Sequence, residues 1–330
     1  MATIGRALNL CGVLSETKRI INAHSRHFLA LSVLFLLPLS FSLIIFPTLQ
    51  STLSFSPHNP HHPHQTLLRH TQSHTLNQTL ALPLVLLYFL LSLSAAVTIT
   101  YSTYHGFYGR PVKLLSAART LLSSFLPLLA TSAAYHCLLA LVCAAFGAFP
   151  FLVTKALQTL LGFDEIDYAS NPYFLALSGV VLILLVLVLV HLKVNWALAS
   201  VVVVVESKWG LEPLRRSAHL MRGMKLVFLS LWLLFGTVIG FFVWAFGSGA
   251  SDFGDVWSCL SFISQTVVGS SFVTVLMLYS VASHAVLYMY CKALHGELAW
   301  EIAEEFAREY VSLPFDEAKV PQVVFVAPQA

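Results

Sequence analysis

Three groups of side chains in this chain could do chemistry. The first is a histidine-rich segment, residues 58–74, with the sequences PHNPHHPHQ and RHTQSH. Imidazole is a good ligand for zinc and copper. The prolines of the segment, however, prevent a helix that would align the rings. We therefore predict a disordered loop here and no metal site. The histidines concerned are His58, His61, His62, His64, His70 and His74.

The second group consists of polar residues inside long apolar runs. Ionisable groups in such runs are costly and often functional. They could form a polar path through a membrane, or they could hydrogen-bond between helices as neutral groups. Lys193 could also extend its ammonium group toward the aqueous interface. These residues are His136, His191, Lys193 and His284.

The third group follows the run VVVVVE, which ends at Glu206. Pro213 and Glu212 suit the first turn of a helix, because proline there loses no hydrogen bond and the carboxylate faces the positive helix end. The cations after them predict a basic amphipathic helix that binds lipid headgroups or a partner protein. They are Arg215, Arg216, His219, Arg222 and Lys225. Glu206 is predicted to pair with a nearby cation and to act as a structural latch at the helix boundary.

No familiar catalytic pattern accompanies these groups. The sequence contains no G-x-x-x-x-G-K-[ST], H-E-x-x-H or G-x-S-x-G motif. We therefore predict no catalytic residue, no cofactor and no metal, and a chain that is not an enzyme. A basic patch interleaved with aromatic residues, typical of nucleic-acid binding, is also missing. The expected partners are membrane lipids and other membrane or cytoplasmic proteins.

Composition places the chain among integral membrane proteins. Of its 330 residues, 57% are hydrophobic and only 10% are charged, whereas soluble domains are about 25% charged. Six apolar runs are long enough to cross a bilayer as helices. They cover residues 28–49, 80–104, 125–149, 173–194, 227–248 and 262–290. The predicted fold is an all-α polytopic protein with six transmembrane helices and additional amphipathic helices.

The distribution of lysine and arginine predicts the orientation. Of the 18 such residues, only Arg69 and Lys155 fall on one side of the six spans. The positive-inside rule therefore predicts cytoplasmic termini. Plasma membrane and endoplasmic reticulum remain equally open. Asn77 begins a glycosylation sequon, but it lies so close to the second span that we expect no modification.

The predicted domains are a cytoplasmic amphipathic segment (1–27), a six-span membrane domain (28–291) and an acidic amphipathic helix with an irregular tail (292–330). In the first segment, Cys11 and Leu14 are placed on the apolar face of a helix that lies among lipid headgroups. Basic segments beginning at Gly12, Gly109 and Gly210 precede spans one, three and five. This pattern suggests a threefold repeat, which superposition of the three units would test.

The stretch VVVVVESKWGLEPLRRSAHLMRGMKLVF resembles the membrane domain found beside bacterial glycerophosphodiester phosphodiesterases. The beginning, GVLSETKRIINAHSRHFLALSVLFLLPLS, and the end, YMYCKALHGE, resemble a plant family of six-span transmembrane proteins of uncharacterised function. The resemblance implies the six-span architecture and transfers no catalytic residue. Two functions remain: a non-enzymatic protein that organises lipid or partner proteins through its basic helices, and a transporter or channel for a small solute.

Overall fold

The computed structural model describes residues 9–54, 63–110, 112–161, 172–247 and 256–311. All regular secondary structure in these ranges is helical, which confirms the all-α prediction. The chain divides into two compact units, residues 1–291 and 292–330, and each is described by itself. Residues 1–8, residues 162–171 and the tail after residue 311 are among those outside the described ranges.

The helices follow one another without a strand between them in the described ranges. A π-helical turn, Ser32–Leu36, joins the second and third helices. The bounds are α1 Leu10–Ala23, α2 Ser25–Leu31, α3 Leu37–Ser54, α4 Pro63–Phe107, α5 Leu114–Leu161, α6 Pro172–Asn195, α7 Ala199–Glu206, α8 Glu212–Leu220, α9 Lys225–Gly247, α10 Val256–Leu294 and α11 Glu297–Val311.

Six helical segments of the described chain are long and apolar enough to cross a membrane, in agreement with the predicted number. They are Ser25–Thr48, Pro83–Phe107, Leu114–Leu160, Pro172–Glu206, Lys225–Gly247 and Val256–Leu294. By length and composition, this is a multi-pass membrane protein. Some helices, such as α4 and α5, are longer than the spans predicted from hydropathy. In these helices, polar or amphipathic residues next to the apolar run are also helical.

The prediction of a loop over residues 50–79 is wrong for residues 50–54, which end α3, and again from residue 63 onward. The backbone of α4 is already helical at Pro63, a residue well suited to a first helical turn. His64, His70, His74 and Asn77 therefore belong to a helix, although their side chains lie outside the described ones. His58, His61 and His62 are also outside the described residues, so the metal-site prediction is untested.

The amphipathic helix α1 packs on protein. Its buried residues are Val13, Thr17, Ile20 and Ile21, whereas Cys11, predicted on the apolar face, is exposed. The Cβ that an alanine would add at Gly106 on α4 would lie 2.9 Å from Cγ2 of Ile20. The buried face of α1 therefore differs from the predicted one. The side chains that contact α4 are buried, whereas the prediction placed a different face of α1 against lipid.

The three basic segments enter their spans differently. His24 interrupts the helix between α1 and α2, whereas α5 runs from Leu114 into its span without a break. The third segment, α8, ends in a turn that contains Gly223 at φ +96°. Gly109 and Gly210 adopt positive φ angles, whereas Gly12 is helical. The junctions thus differ, and the threefold repeat remains a prediction.

A short valine-rich helix, α7, lies in the core of the first unit. It packs against α4 and α5, and Val201, Val202, Val203 and Val204 are buried. Val203 and Val204 form a cluster with Leu93, Val97 and Leu128. Lipid tails are as apolar as these side chains, so close packing stabilises the cluster more than the hydrophobic effect does. The polar segment that follows α7 therefore starts from a firmly packed position.

Buried hydroxyl groups join α3 to α10. The Ser40 hydroxyl lies 2.7 Å from the Thr274 hydroxyl and 3.0 Å from the Ser270 carbonyl oxygen. Gln265 of α10 donates to the Ala245 carbonyl of α9 at 3.2 Å. Such contacts between spans compensate for the missing hydrophobic driving force inside a membrane.

Candidate functional site

The fourth apolar segment of the structure, Pro172–Glu206, extends beyond the predicted span of residues 173–194 and consists of two helices joined by a turn at residues 196–198. Ser217 of α8 stabilises this turn. Its hydroxyl accepts a hydrogen bond from the Leu198 backbone N–H at 3.0 Å and donates one to the Asn195 carbonyl at 2.8 Å. A helix break leaves backbone groups without intrahelical partners. The fully buried Ser217 side chain satisfies one group on each side of the break, and so ties α8 to both α6 and α7.

Glu206, the last residue of α7, is the centre of a polar cluster. Its carboxylate accepts a hydrogen bond from Arg216 Nε at 3.2 Å and another from the Tyr288 hydroxyl at 2.9 Å. Lys208 Nζ lies 3.6 Å from its second oxygen. The carboxylate therefore connects three elements, namely α7, α8 and α10. Glu206 thus pairs with nearby cations, and Tyr288 adds a third helix to the contact; the role of Glu206 as a latch stays a prediction.

The turn after Glu206 has an unusual backbone. Ser207 adopts the left-handed conformation with φ +54°, and Gly210 follows at φ +75°. A left-handed residue other than glycine costs about 1 kcal/mol or more and persists where its surroundings hold it. The Gly210 N–H donates to the Thr131 hydroxyl of α5 at 3.1 Å. The turn is thus held at Glu206 on one side and at α5 on the other.

Lys208 and Glu212 form a second, more exposed ion pair at 2.9 Å. The hydrogen bond to the Glu212 carboxylate is the main cause that raises the pKa of the Lys208 ammonium above its ordinary value. Lys208 is therefore charged at neutral pH. Glu206 and Glu212 are the two carboxylates nearest to α8 in sequence, and each is engaged by cations other than Arg215 and Arg222.

The outer face of α8 and the turn after it carry the remaining predicted cations. We define the basic stripe as Arg215 and His219 on α8 and Arg222 in the following turn; all three side chains are exposed. The opposite face, with Leu214 and Leu220, is buried in protein. Lys225 is half-buried at the start of α9. Arg216, which the sequence grouped with these cations, points instead to Glu206.

Large apolar side chains flank the basic stripe. Trp209 and Leu211 before α8 are 70% and 61% exposed, and Leu226 after it is 80% exposed. Tryptophan and leucine at a membrane–water interface anchor an amphipathic segment at the headgroup level. Because exposed apolar groups occur on both sides of α8, the stripe is suited to a position along a membrane surface.

The predicted polar-path residues lie in different surroundings. His136 and His191 are exposed on the outside of their helices, and His136 Nδ1 lies 2.7 Å from the Ser132 carbonyl oxygen of its own helix. Lys193 Nζ lies 5.7 Å from the centre of the Tyr135 ring. The half-buried His284 packs edge-on against Phe228 at 5.4 Å. Lys193 is also exposed, so three of the four side chains face outward.

A cavity of about 170 Å³ lies between α3 and α4, and its walls are mostly apolar. None of the four polar-path residues lines it. The lining residues are Ser42, Leu43, Phe46, Leu84, Val85 and Tyr88. Among the described side chains, no group of three or more histidine, cysteine, aspartate or glutamate residues is placed to hold a metal ion.

Sequence reasoning missed two contacts around α8, namely the hydrogen bond of Tyr288 to Glu206 and those of Ser217 to the α6–α7 break. Tyr288 was overlooked because a tyrosine near the end of an apolar run is typical of an interfacial anchor, yet this tyrosine is fully buried. Ser217 was assigned correctly to the inner face of α8, but its two hydrogen bonds depend on a helix break that hydropathy does not reveal. One sequence feature did indicate a polar cluster: a charged residue, Glu206, follows five valines directly.

Comparison with known proteins gives a family but no activity. Neither the curated proteins nor the solved structures include a detectable match to this chain. A family model described as "Domain of unknown function (DUF8558)" matches residues 5–317, which is nearly the whole chain. The chain therefore belongs to the DUF8558 family.

Proposed function

We propose that this protein is a non-enzymatic integral membrane protein that organises lipid at the cytoplasmic membrane surface. The observation that carries the proposal is the division of α8 into two faces. Its apolar face is buried in protein, and its basic stripe is exposed between Trp209 and Leu226. The helix is thus held in place by the protein and presents cations outward, as a binding surface for anionic headgroups requires.

The attachments of α8 support a preformed surface. Ser217 binds the α6–α7 break, Arg216 binds Glu206, and the preceding turn binds Thr131. A surface that is already ordered loses little conformational entropy when it binds a ligand. This favours α8 over the other basic segments as the principal contact.

The cytoplasmic assignment depends on the lysine and arginine distribution and forms part of the proposal. With all these residues except Arg69 and Lys155 on one side, the positive-inside rule orients the basic stripe toward the cytoplasm. The inner leaflet carries the anionic lipids that would attract it, at about 1 kcal/mol for each cation near the surface.

A transporter or channel is less well supported. Transport through the predicted polar path would need its side chains to line one continuous cavity. His136 and His191 face outward, and the cavity between α3 and α4 is apolar. Docking of a cytoplasmic protein on the stripe is the remaining alternative, and the experiments below distinguish it from lipid binding.

Lipid capture by the purified protein tests the proposal. We expect protein reconstituted in nanodiscs of mixed phosphatidylcholine and anionic lipid to retain anionic lipid after extraction, as measured by mass spectrometry. Arg215→Gln/Arg222→Gln should lose most of this retention. The matched control, Lys18→Gln/Arg26→Gln, removes two charges elsewhere and should keep it. Equal losses in both variants would indicate unspecific electrostatics and would contradict the proposal.

A further inference from the structure

We infer that the basic stripe recognises lipid headgroups that carry a phosphomonoester, in preference to headgroups with a single negative charge. This inference rests on the proposed function and specifies its ligand. The cations near α8 fall into two groups, those that pair with a carboxylate and those that do not. Lys208 and Arg216 bind Glu212 and Glu206. In the described part of the chain, Arg215 and Arg222 form no ion pair.

Both available cations of the stripe are arginines. A guanidinium group has planar, paired N–H donors that bind two oxygens of a phosphate at once, whereas an ammonium group acts as a point charge. Arg215 lies on α8 and Arg222 in the turn directly after it, and both side chains are exposed. Because arginine side chains are long, the two guanidinium groups can approach the same headgroup.

The charge of the ligand then decides the preference. A phosphomonoester carries a charge of about −1.5 to −2 at neutral pH and three acceptor oxygens. Two guanidinium groups can each bind two of these three oxygens if they share one of them, because each oxygen has more than one lone pair. Phosphatidylserine offers one carboxylate beside an ammonium group of the opposite charge. A phosphomonoester can therefore form more hydrogen bonds to the two arginines than phosphatidylserine can.

The flanking apolar residues favour a membrane-bound ligand over a soluble phosphate. Trp209 and Leu226 are strongly exposed on opposite sides of α8, where contact with lipid would cover them. A soluble inositol phosphate would leave both exposed. The occupant we assign is consequently a phosphorylated lipid in the leaflet that contacts α8.

Competition between lipids tests this inference. The purified protein is incubated with micelles that contain phosphatidylserine and phosphatidylinositol 4-phosphate at equal total negative charge, and bound lipids are counted by native mass spectrometry. We expect wild-type protein to prefer the phosphomonoester by roughly tenfold, since one additional charge-assisted hydrogen bond is worth about 1.5 kcal/mol. Arg215→Lys/Arg222→Lys should still bind anionic lipid but should lose most of the preference.

The outcomes separate this inference from the proposed function. Arginine-dependent binding of both lipids without preference would overturn the phosphomonoester assignment and leave lipid organisation intact. Binding of neither lipid by a folded protein would overturn both. A soluble inositol phosphate that displaces the lipid as well as a lipid competitor does would contradict the role of Trp209 and Leu226. Because the substituted arginines are exposed, an unchanged thermal midpoint serves as the control for folding.

Discussion

The hydroxyl of Tyr288 donates a hydrogen bond of 2.9 Å to the carboxylate of Glu206, a residue 82 positions earlier in the chain. The phenol is fully buried, and the same carboxylate oxygen accepts the Arg216 Nε–H. Through this one group, α10 contacts both the core helix α7 and the surface helix α8. The basic stripe is therefore positioned by interactions that begin inside the membrane domain.

Replacement of Glu206 by glutamine should destabilise the protein considerably. The substitution keeps the size of the side chain but removes the charge that Tyr288 and Arg216 share, and hydrogen bonds to charged groups contribute about 1.5–3 kcal/mol. We expect a decrease of about 2 kcal/mol in the apparent free energy of unfolding, measured by titration with sodium dodecyl sulfate.

Glu212→Gln is the matched control for Glu206→Gln. It removes the exposed pair with Lys208, and such surface pairs contribute about 0–1 kcal/mol. If the two glutamine variants were equally stable, the central role of the Glu206 carboxylate would be wrong.

Replacement of Ser217 by alanine should loosen the joint between α8 and the α6–α7 break. The Leu198 N–H and the Asn195 carbonyl would both lose a partner, and an unsatisfied buried polar group costs about 1–3 kcal/mol. We expect a lower thermal midpoint and faster amide hydrogen exchange at residues 196–199. Ser230→Ala on α9 is the control, since that hydroxyl bonds only to its own helix in the described structure. Unchanged exchange at the break would argue against this joint.

Replacement of Gly106 by alanine should displace α1 from α4. The added methyl group would lie 2.9 Å from Ile20 Cγ2, and a side chain branched at Cβ cannot easily move aside. Cysteine placed at the buried position Val13, in a chain without its native cysteines, should then react faster with a maleimide. Gly236→Ala, which meets open space, should leave the rate unchanged. Equal rates in all three proteins would mean that α1 is not docked as described.

Labelling at the two ends of α5 tests the orientation of the membrane domain. Lys113 and Lys155 are both exposed and lie at opposite ends of this helix. If the positive-inside rule holds here, a membrane-impermeant thiol reagent should label Lys155→Cys in intact cells and Lys113→Cys only after permeabilisation. The variants again lack the native cysteines. The reverse pattern would place the basic stripe on the wrong side for inner-leaflet lipid.

The number of spans could be predicted because it depends on local properties. Each span has enough consecutive apolar residues to cross the bilayer, and the described ranges of the chain contain six such segments. The two faces of α8 were also largely predictable, since Leu214 and Ser217 lie on one side of a helix and Arg215 and His219 on another. Both inferences need only the neighbouring residues.

The features that position the stripe depend on distant residues and could not be predicted. The apolar pattern continues through residues 196–198, so the break between α6 and α7 is visible only with Ser217 beside it. Arg216 follows Arg215 directly, and only the location of Glu206 turns it inward. Likewise, α1 buries Ile20 where Gly106 lets it approach α4, a contact without a local sequence signal.

The identity of the molecule that contacts α8 is the most direct test of the account. A photoreactive residue, p-benzoylphenylalanine, at the half-buried Ala218 lies beside the basic stripe and leaves its cations in place. After irradiation of native membranes, we predict adducts with anionic phospholipid that disappear in the Arg215→Gln/Arg222→Gln background. Adducts mainly with a protein, or with neutral lipid regardless of the two arginines, would contradict the conclusion that this surface binds anionic lipid.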